Sequence, residues 1–565
     1  MCGIVGIVGV ASDKKQVIQK MLDKQEHRGP DAKDFWSNED VCFGHNRLSI
    51  IDLNSNANQP MFSNDGRYVI VFNGEIYNYK ELKETICNYS FKTQSDTEVL
   101  LALYIQKGKE MLNELNGMFS FAIWDTIEKK LFVARDRFGV KPFYYSFHNN
   151  NLYFASEIKT LFEAGIEKKK NKKVWANYIA FGSYGMPSET FWESINQLPG
   201  GHFFEYQVNQ TKINPIKWYH FVGNVSKLPK LNEEELKTEY LRLLIDSVKL
   251  RFRSDVPVGF NSSGGLDSST LLAIVNQIFP ENKTIEAFTF YTNDERYDEV
   301  PWVEMMVNKT QNPLNKCLLE VNQVADLITK ISCFQDEPFG GFPTLAYSKI
   351  FEEAKNRGIL VLLDGQGMDE AWAGYDYYQN NTGFTIQGTK SSPVHPEILT
   401  EEFKNYCEKE EYEKPFDNEL QNLQYRDLFY TKIPRALRFN DRISMMYSTE
   451  LREPFLDYRL VELAFAQPKE MKIKDGKSKW MLREIVKDLL GNEVAFAPKR
   501  PLQTPQREWI AVELHQYMND KINEFAKNEF VKHDEIIRLW DEYQKGNQEN
   551  SFYLWQWINL NEILK

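Results

Sequence analysis

The stretch Ser262-Ser263-Gly264-Gly265-Leu266-Asp267-Ser268-Ser269 follows an apolar, strand-like run and precedes residues with helical spacing. Its two glycines allow backbone N–H groups to turn inward as an anion-binding nest, and the start of the helix adds the positive end of its dipole. The hydroxyls of Ser263 and Ser268 can donate to phosphate oxygens. Asp267 would repel a phosphate unless a cation lay between them, so the stretch predicts phosphate binding with Mg²⁺. A simple glycine-rich capping turn is the less favoured interpretation.

The surrounding sequence alternates strand-like and helical segments. Apolar runs at 256–260, 284–291 and 359–364 are separated by helical stretches such as 268–279. This alternation predicts an α/β unit with a mostly parallel sheet. Residues 400–565 are predicted to be mainly helical.

A second cluster, Asp364-Gly365-Gln366-Gly367-Met368-Asp369-Glu370, ends the apolar run at 359–364. Ligands of open α/β sheets bind at the carboxyl ends of the strands, so Asp369 is predicted to share a metal with Asp267. Taken alone, this cluster is equally well explained as an ordinary loop.

The first 200 residues have a different pattern, with short strands and turns. The run at 68–72 is predicted to end in a turn at Asn73-Gly74, and 118–124 pairs with 131–135 as a hairpin. Helical spacing follows at 96–106 and again at 233–250. A boundary in the zone 198–232 predicts two domains, at 1–210 and 230–565.

Composition limits the class of protein. The chain has 565 residues, a net charge of −12 and a pI near 5.4, which argues against sequence-independent nucleic-acid binding. Its six cysteines form no C-x-x-C pair and fit a reducing cytoplasm. No signal peptide and no window suited to a membrane span are predicted.

Cys2 stands directly after the initiator. If Met1 is removed, Cys2 carries a thiol and a free α-amino group, whose reference pKa of ~7.7–8 suits a base near neutral pH. The amine could take the thiol proton and activate the sulfur as a nucleophile. On position alone, one buried thiol among six is the simpler interpretation.

Ordered motifs over nearly the whole chain resemble one family. Those resembling a class II glutamine amidotransferase are Cys2-Gly3-Ile4, His27-Arg28-Gly29-Pro30-Asp31, Arg47-Leu48-Ser49-Ile50, Asn73-Gly74-Glu75-Ile76-Tyr77-Asn78 and Ser95-Asp96-Thr97-Glu98. Those similar to the synthetase half of glutamine-hydrolysing asparagine synthetase lie at 263–268, 369–370, 452–457 and 479–483. The resemblance implies an α+β N-terminal nucleophile hydrolase sandwich with αββα layers. An α/β PP-loop ATP pyrophosphatase domain with a largely helical C-terminal part would follow.

The resemblance implies a first site that hydrolyses glutamine. Cys2 would attack the carboxamide and release ammonia, and the Asn73 side chain and Gly74 N–H would form the oxyanion hole, a contribution of about 3–4 kcal/mol per donor. Arg47 would pair with the substrate α-carboxylate in a bidentate way. Asp96 would hold the α-amino group, and Glu75 would also contact the substrate.

It also implies a second site in which ATP activates a carboxylate as an acyl-adenylate. Lys479 would neutralise charge on the phosphates, Asp267 and Asp369 would bind Mg²⁺, and the Phe290 backbone would contact adenine. An internal apolar tunnel would carry ammonia between the sites and exclude water. The implied ATP and pyrophosphate contacts are Ser262, Ser263, Gly264, Gly265, Asp267, Ser268, Phe290, Asp364 and Gly365.

Two positions depart from the family pattern. The family usually has Ser-Gly-Glu-Gly-Ser-Asp-Glu where this chain has Gln366, and an amide cannot act as a general base. Gln366 can still position a nucleophile by hydrogen bonds, while Asp364 or the α-phosphate accepts the proton. The stretch 336–343 lacks the Thr-rich, Arg-containing sequence of some aspartate-using members, although other members carry Asp-Glu-Pro here.

Three functions follow as hypotheses. The first is an ATP- and glutamine-dependent ligase that converts aspartate to asparagine. The second applies the same chemistry to another carboxylate, such as a uronic acid, since Asp-Gly-Gln-Gly variants resemble amidotransferases of surface-polysaccharide biosynthesis. The third is a glutamine- or nucleotide-binding regulator without turnover. The expected partners are glutamine, ATP and a carboxylate acceptor, and a homodimer is left open.

Overall fold

The computed structural model describes residues 2–10, 13–208, 210–282, 284–379, 392–498, 503–548 and 550–565. Its N-terminal part contains twelve strands within these residues: β1 Gly3–Val8, β2 Ala32–Ser37, β3 Val41–Arg47, β4 Met61–Phe62, β5 Tyr68–Ile76, β6 Gly117–Asp125, β7 Lys130–Arg135, β8 Tyr144–His148, β9 Asn151–Ala155, β10 Asn196–Gln197, β11 His202–Gln207 and β12 Ile216–Lys217. The helices there are α1 Lys14–Lys24, α2 Tyr79–Thr85, α3 Asp96–Lys107, α4 Ile158–Glu163, α5 Lys172–Phe181 and α6 Phe221–Lys227.

These strands form two antiparallel sheets that pack face to face. Their strand orders are β10-β8-β9-β1-β3-β2 and β12-β11-β7-β6-β5-β4. Ile4 and Val8 of β1 pack with Val69 and Val71 of β5 in the core between the sheets. The alternate residues of each strand face outward, where α1 covers the first sheet and α3 covers the second. The predicted αββα sandwich is therefore confirmed.

The C-terminal part is built on a parallel sheet. Its strands are β13 Val258–Asn261, β14 Ala287–Tyr291, β15 Leu314–Leu318, β16 Val361–Leu363 and β17 Glu450–Arg452, with a small hairpin of β18 Ile473–Lys474 and β19 Lys477–Ser478. The sheet order is β15-β14-β13-β16-β17, and all four pairings are parallel. Because β14 and β16 flank β13 on opposite sides, the chain reverses its winding direction at β13.

Helices surround this sheet and form most of the chain after it. They are α7 Glu233–Arg251, α8 Leu266–Ile278, α9 Val300–Thr310, α10 Val324–Gln335, α11 Phe342–Asn356, α12 Met368–Ala371, α13 Glu401–Lys404, α14 Glu419–Arg426, α15 Lys432–Met445, α16 Tyr458–Ala466, α17 Lys469–Lys472, α18 Trp480–Leu490, α19 Asn492–Ala495, α20 Gln506–Ala511, α21 His515–Phe525, α22 His533–Gln544 and α23 Phe552–Leu564. The predicted α/β domain with a largely helical C-terminal part is confirmed.

Most predicted elements form close to their expected positions, and one prediction is wrong. The hairpin of β6 and β7 and the helices α3 and α7 form as expected. Asn73-Gly74 is not a turn, because β5 continues through both residues, with Asn73 opposite Ser120 and Gly74 opposite Phe119. The glycine serves close strand approach instead, since a β-carbon on Gly74 would lie 2.1 Å from the Met118 carbonyl oxygen.

The state of the cysteines and the character of the helices can be compared with the class of protein predicted from composition. All six cysteines are free thiols. Among the described residues, no helix has both the length and the apolar character required to cross a membrane.

Candidate active sites

Cys2 lies in a buried position just before β1, against the edge of the second sheet. Its backbone N–H donates to Asn73 Oδ1 at 3.1 Å, and its Sγ lies 3.9 Å from the Leu48 carbonyl oxygen. Burial raises the pKa of the Cys2 thiol, and the Arg47 charge opposes this rise. A thiol in these surroundings needs an adjacent base to become a nucleophile.

Asn73 and Gly74 lie on β5 directly beside this thiol. Asn73 is fully buried, and its Nδ2 group has no hydrogen-bond partner among the described atoms, so the amide can donate to a ligand. Gly74 has φ +151°, which favours glycine and brings the backbone close to β6. An unpartnered buried donor beside Cys2 is the feature that an oxyanion hole requires.

Arg47 ends β3 and has most of its donors already bound by the following loop. Its Nη1 donates to the Asn54 carbonyl at 2.8 Å and to Asn58 Oδ1 at 2.7 Å, and its Nη2 donates to the Asp52 carbonyl. In the part of the chain that the structure describes, Nε and the second Nη2 hydrogen make no further bond. This remaining edge of the guanidinium has the geometry for bidentate binding of a carboxylate.

Asp96 and Glu75 place negative charge in the same pocket. Asp96 opens α3, whose N-terminus Ser95 caps, and it accepts a bond from the Ile76 N–H at 2.8 Å. Burial raises the pKa of Asp96 to about 6. Burial and the neighbouring Glu450 raise the pKa of Glu75 well above its usual value. An incoming ammonium group would restore the charged form of both acids.

The glycine-rich loop between β13 and α8 forms one wall of a cavity of about 620 Å³. Gly264 has φ +67°, and a β-carbon there would lie 2.7 Å from Trp302 Cβ, so only glycine fits. The Ser263 N–H donates to Ser268 Oγ at 3.2 Å, which holds the loop on the first turn of α8. The cavity lies at the carboxyl ends of β13 and β16, where the winding reverses.

Lys479 joins two acidic side chains at the centre of this cavity. Its Nζ lies 2.8 and 2.6 Å from the Asp267 oxygens and 2.8 Å from Asp369 Oδ1. Burial would lower the pKa of this ammonium, but the two carboxylates outweigh burial and raise it. A β-carbon on Gly374 would lie 1.8 Å from Asp369 Oδ1 and 2.4 Å from Lys479 Cε. The cluster is therefore tightly enclosed.

The donor set of this cluster fits Mg²⁺ that is bound together with phosphates. No group of three or more His, Cys, Asp or Glu side chains within the described ranges has the arrangement of a metal cage. Mg²⁺ is commonly held by one or two carboxylates plus substrate phosphate oxygens, and Asp267 and Asp369 supply two carboxylates here.

Gln366 lies between two buried acids. Burial raises the pKa of Asp364, and hydrogen bonding from the Gly365 N–H and from the Tyr347 and Gln366 side chains opposes this rise. Glu453, which follows β17, lies close enough that burial and the Asp364 charge raise its pKa well above normal. The amide at position 366 is thus accompanied by carboxyl groups that can hold a proton.

The structure gathers the predicted residues of the glutaminase site in one place and those of the synthetase site in another. Cys2, Arg47, Asn73, Gly74, Glu75 and Asp96 come from neighbouring strands and α3. The predicted residues of the second site all line the 620 Å³ cavity, namely Ser262, Ser263, Gly264, Gly265, Asp267, Ser268, Phe290, Asp364, Gly365, Gln366, Asp369 and Lys479.

Several residues at the second site were missed from the sequence. Gly374, Lys432 and Arg435 lie in none of the predicted motifs, and Glu453 lies in the stretch 452–457 but was given no role there. Lys432 and Arg435 line the cavity from the first turn of α15. Two basic residues three apart on a helix are typical of a solvated face, so their position in the wall of the cavity became visible only in the structure.

Buried charged residues connect the two sites. Arg28 donates from Nε to the Cys2 carbonyl at 3.1 Å and from its Nη groups to Asp441 of α15 at 2.8 and 3.1 Å. Arg452 Nη2 lies 3.9 Å from Glu75 Oε1, and its carbonyl accepts from the Asp364 N–H at 2.9 Å. The region between the sites thus contains mutually neutralising ions in addition to apolar side chains.

Comparison with known families and proteins agrees with this two-part arrangement. Residues 1–219 match the family model described as glutamine amidotransferase domain, and residues 239–565 match the one described as asparagine synthase. The chain is 29% identical to asparagine synthetase [glutamine-hydrolyzing] 1 of Bacillus subtilis (strain 168), over 99% of this chain and 97% of that protein.

Two further relatives extend the comparison. Asparagine synthetase [glutamine-hydrolyzing] 3 of the same organism is 30% identical, over 89% of this chain and 86% of its own length. Amidase chry2 of Gibberella zeae is 25% identical, over 92% of both chains. The chain belongs to the glutamine-hydrolysing asparagine synthetase family, as a carbon–nitrogen ligase in which a glutamine amidotransferase domain is joined to an ATP-using synthetase domain.

Proposed function

We propose that this ligase converts aspartate to asparagine, with glutamine hydrolysed at Cys2 and the acceptor carboxylate activated as an acyl-adenylate. The glutaminase activity is assigned to residues 1–210 and the synthetase activity to residues 230–565. The released ammonia passes from the first site to the second within the molecule.

In the glutaminase half, Cys2 Sγ attacks the side-chain carbonyl carbon of glutamine after its proton passes to the α-amino group exposed by removal of Met1. The Asn73 Nδ2 group and the Gly74 N–H stabilise the oxyanion. Arg47 binds the substrate carboxylate through its remaining edge, and Asp96 and Glu75 bind the substrate ammonium. Ammonia leaves, and water hydrolyses the thioester to glutamate.

In the synthetase half, a carboxylate oxygen of the acceptor attacks the α-phosphorus of ATP, and pyrophosphate leaves. The loop 262–268 and Lys479 bind the leaving phosphates. Asp267 and Asp369 would hold Mg²⁺, which supplies further neutralisation of phosphate charge. Ammonia, oriented by Gln366, attacks the acyl carbon and displaces AMP, and the surplus proton passes to Asp364.

The observation that carries this proposal is the Asp267–Lys479–Asp369 cluster beside the glycine-rich loop, in a chain that also presents Cys2 beside an unpartnered Asn73 amide. The test uses purified protein with ATP, Mg²⁺, ammonium and aspartate. Pyrophosphate is measured together with asparagine by mass spectrometry. A 1:1 yield supports the proposal, whereas absence of aspartate-dependent pyrophosphate contradicts aspartate as the acceptor.

A different carboxylate acceptor, such as a uronic acid, is the second candidate, and the stretch 336–343 favours it. Asp336 pairs with Lys159 at 3.2 Å, and Glu337 pairs with Arg438 at 2.6 Å, so both acids are used within the protein. The stretch also lacks the Thr-rich, Arg-containing sequence of some aspartate-using members, and Gln366 stands where the family usually has Glu. Replacing aspartate by uronic acids in the same assay separates these functions, and a non-turnover regulator would yield no pyrophosphate with any acceptor.

A further inference from the structure

A second cavity, of about 860 Å³, adjoins the nucleotide cavity. Its walls are formed by residues 180–187, 409–414 and the first turns of α15. Lys432 and Arg435 line both cavities, so the boundary between the two spaces is basic. The glycine-rich loop and Lys479 line only the smaller cavity.

Lys432 is buried, and no carboxylate of the described residues is in ion-pair contact with its ammonium, although the charges of Asp427 and Glu370 act on it. Its residue is 8% exposed, and its ammonium lies 5.2 and 5.3 Å from the ring centres of Tyr375 and Tyr377. Over the described ranges it makes no hydrogen bond or ion pair with a carboxylate. Burying an ammonium without such a partner is costly, so the position is suited to a ligand that supplies the negative charge.

Arg435 lies one helical turn further along α15, is partly buried, and likewise has no ion pair among the described residues. Its guanidinium carbon is 5.8 Å from the ring centre of Tyr184, and no hydrogen bond or ion pair joins it to another residue that the structure describes. The neighbouring arginines differ, because Arg438 pairs with Glu337 and Arg426 pairs with Asp427 at 2.9 Å. Of the four basic side chains that α14 and α15 contribute to this cavity, Lys432 and Arg435 are therefore the two without an ion pair among the described residues.

We propose that Lys432 and Arg435 bind an anionic group of the acceptor other than the carboxyl group that is amidated. This inference rests on the proposed amide-ligase function and narrows its substrate to a carboxylate that carries a second negative group, either carboxylate or phosphate. The reacting carboxyl lies near Gln366 in the smaller cavity, and the remainder of the acceptor extends into the larger one.

The position of the pair assigns it to the acceptor and not to ATP. In the proposed function the phosphates of ATP bind to the loop 262–268 and Lys479, whereas Lys432 and Arg435 lie where the second cavity opens. The guanidinium can bind a carboxylate or phosphate through two parallel bonds, and the ammonium adds a point charge. A space of this size accepts ligands considerably larger than an amino acid, since pockets of ~300–1,000 Å³ hold drug-sized molecules.

Steady-state kinetics of the full-length protein test the proposal with two acceptors, aspartate and a nucleotide-linked uronic acid. For whichever is amidated, Lys432→Gln and Arg435→Gln should each raise the acceptor KM at least tenfold. The KM for ATP and the glutaminase rate should stay unchanged, and Lys432→Arg should restore most of the affinity. Lys414→Gln, at the exposed rim of the same cavity, is the matched control and should change the KM less than twofold. Turnover of aspartate identifies a carboxylate as the bound group, and turnover of the nucleotide-linked acid identifies a phosphate.

A direct binding measurement keeps the inference testable if neither acceptor reacts. With the nucleotide cavity filled by Mg²⁺ and a non-hydrolysable ATP analogue, succinate and inorganic phosphate are titrated into wild-type protein and the Lys432→Gln, Arg435→Gln double variant by calorimetry. If the wild type binds a probe and the double variant does not, the anion subsite is supported even where neither acceptor is amidated. Equal binding in both proteins, no binding of either probe to wild type, or a rise in the ATP KM in place of the acceptor KM would overturn it.

Discussion

The glutamine pocket and the acceptor end of the synthetase cavity, at Lys432 and Arg435, each contain an arginine. The two arginines differ in their hydrogen bonds. In the first, Arg47 already donates to the Asp52 and Asn54 carbonyls and to Asn58, so its orientation is fixed before a substrate arrives. In the second, Arg435 has no such partner within the described residues. The first site is preorganised for one ligand, whereas the second depends on its ligand to complete the charge balance.

This difference has a structural origin. Most predicted residues of the glutamine pocket lie on strands or at a capped helix start, where the ladder fixes the backbone. The acceptor end is built from one helix turn that faces two open cavities. The residues that bind the nitrogen donor are therefore positioned by secondary structure. Those proposed to bind the acceptor are recognised by charges that lack partners among the described residues.

The largest expected effect separates the two sites completely. Cys2→Ala removes the nucleophile, so glutamine hydrolysis and glutamine-dependent synthesis should both be abolished. Ammonia-dependent synthesis should continue at the wild-type rate, because the second cavity is untouched. Amide formation is compared with glutamine and with ammonium as nitrogen source, and loss of both activities in this variant would contradict two independent sites.

The reverse experiment acts on the phosphate cluster. Asp267→Asn removes one of the two charges that face Lys479, and pyrophosphate formation should fall by about 10²-fold or more, as for other electrostatic groups at reacting centres. Glutaminase activity should persist, since no element of the first site changes. Pyrophosphate is measured alongside glutamate release. An unchanged pyrophosphate rate would remove Asp267 from the proposed metal site.

The sequence predicted the parts of the molecule that have local signals. Strand, loop and helix around Ser262–Ser269 are encoded by apolar runs and adjacent glycines, and the order of motifs led to the αββα sandwich. Asn73-Gly74 was wrongly predicted as a turn. The glycine is instead required by the close approach of the Met118 carbonyl on the neighbouring strand. Lys432 and Arg435 were missed for a similar reason, since the cavity that they line is completed by residues distant in the chain.

A smaller effect is expected at Gly374, where a substitution changes only the space available to neighbouring side chains. Gly374→Ala would push Asp369 and Lys479 apart, because its β-carbon would overlap both side chains. Displacements of this size at a reacting centre cost about 10²-fold, so pyrophosphate formation should fall while glutaminase activity stays normal. Gly223→Ala is the matched control, because a β-carbon there meets nothing within 4 Å. Equal activity of the two variants would show that the cluster is not tightly enclosed.

The smallest effect concerns the pH dependence of acceptor binding, which should distinguish the acceptor end from the glutamine pocket. Burial lowers the pKa of Lys432 to about 7, helped by Arg435 and Arg426 and opposed by Asp427 and Glu370, while Tyr375 and Tyr377 face it with neutral rings. As pH rises through 7, this ammonium loses its proton and its attraction for an anion.

The acceptor KM should therefore increase above pH 7, by up to about tenfold per pH unit, until Arg435 alone holds the ligand. The KM for glutamine should not follow this trend, because Lys432 takes no part in the proposed glutamine pocket. Lys432→Arg keeps a charge at this position and should flatten the acceptor profile. Parallel profiles for the wild type and this variant would mean that Lys432 does not contact the acceptor.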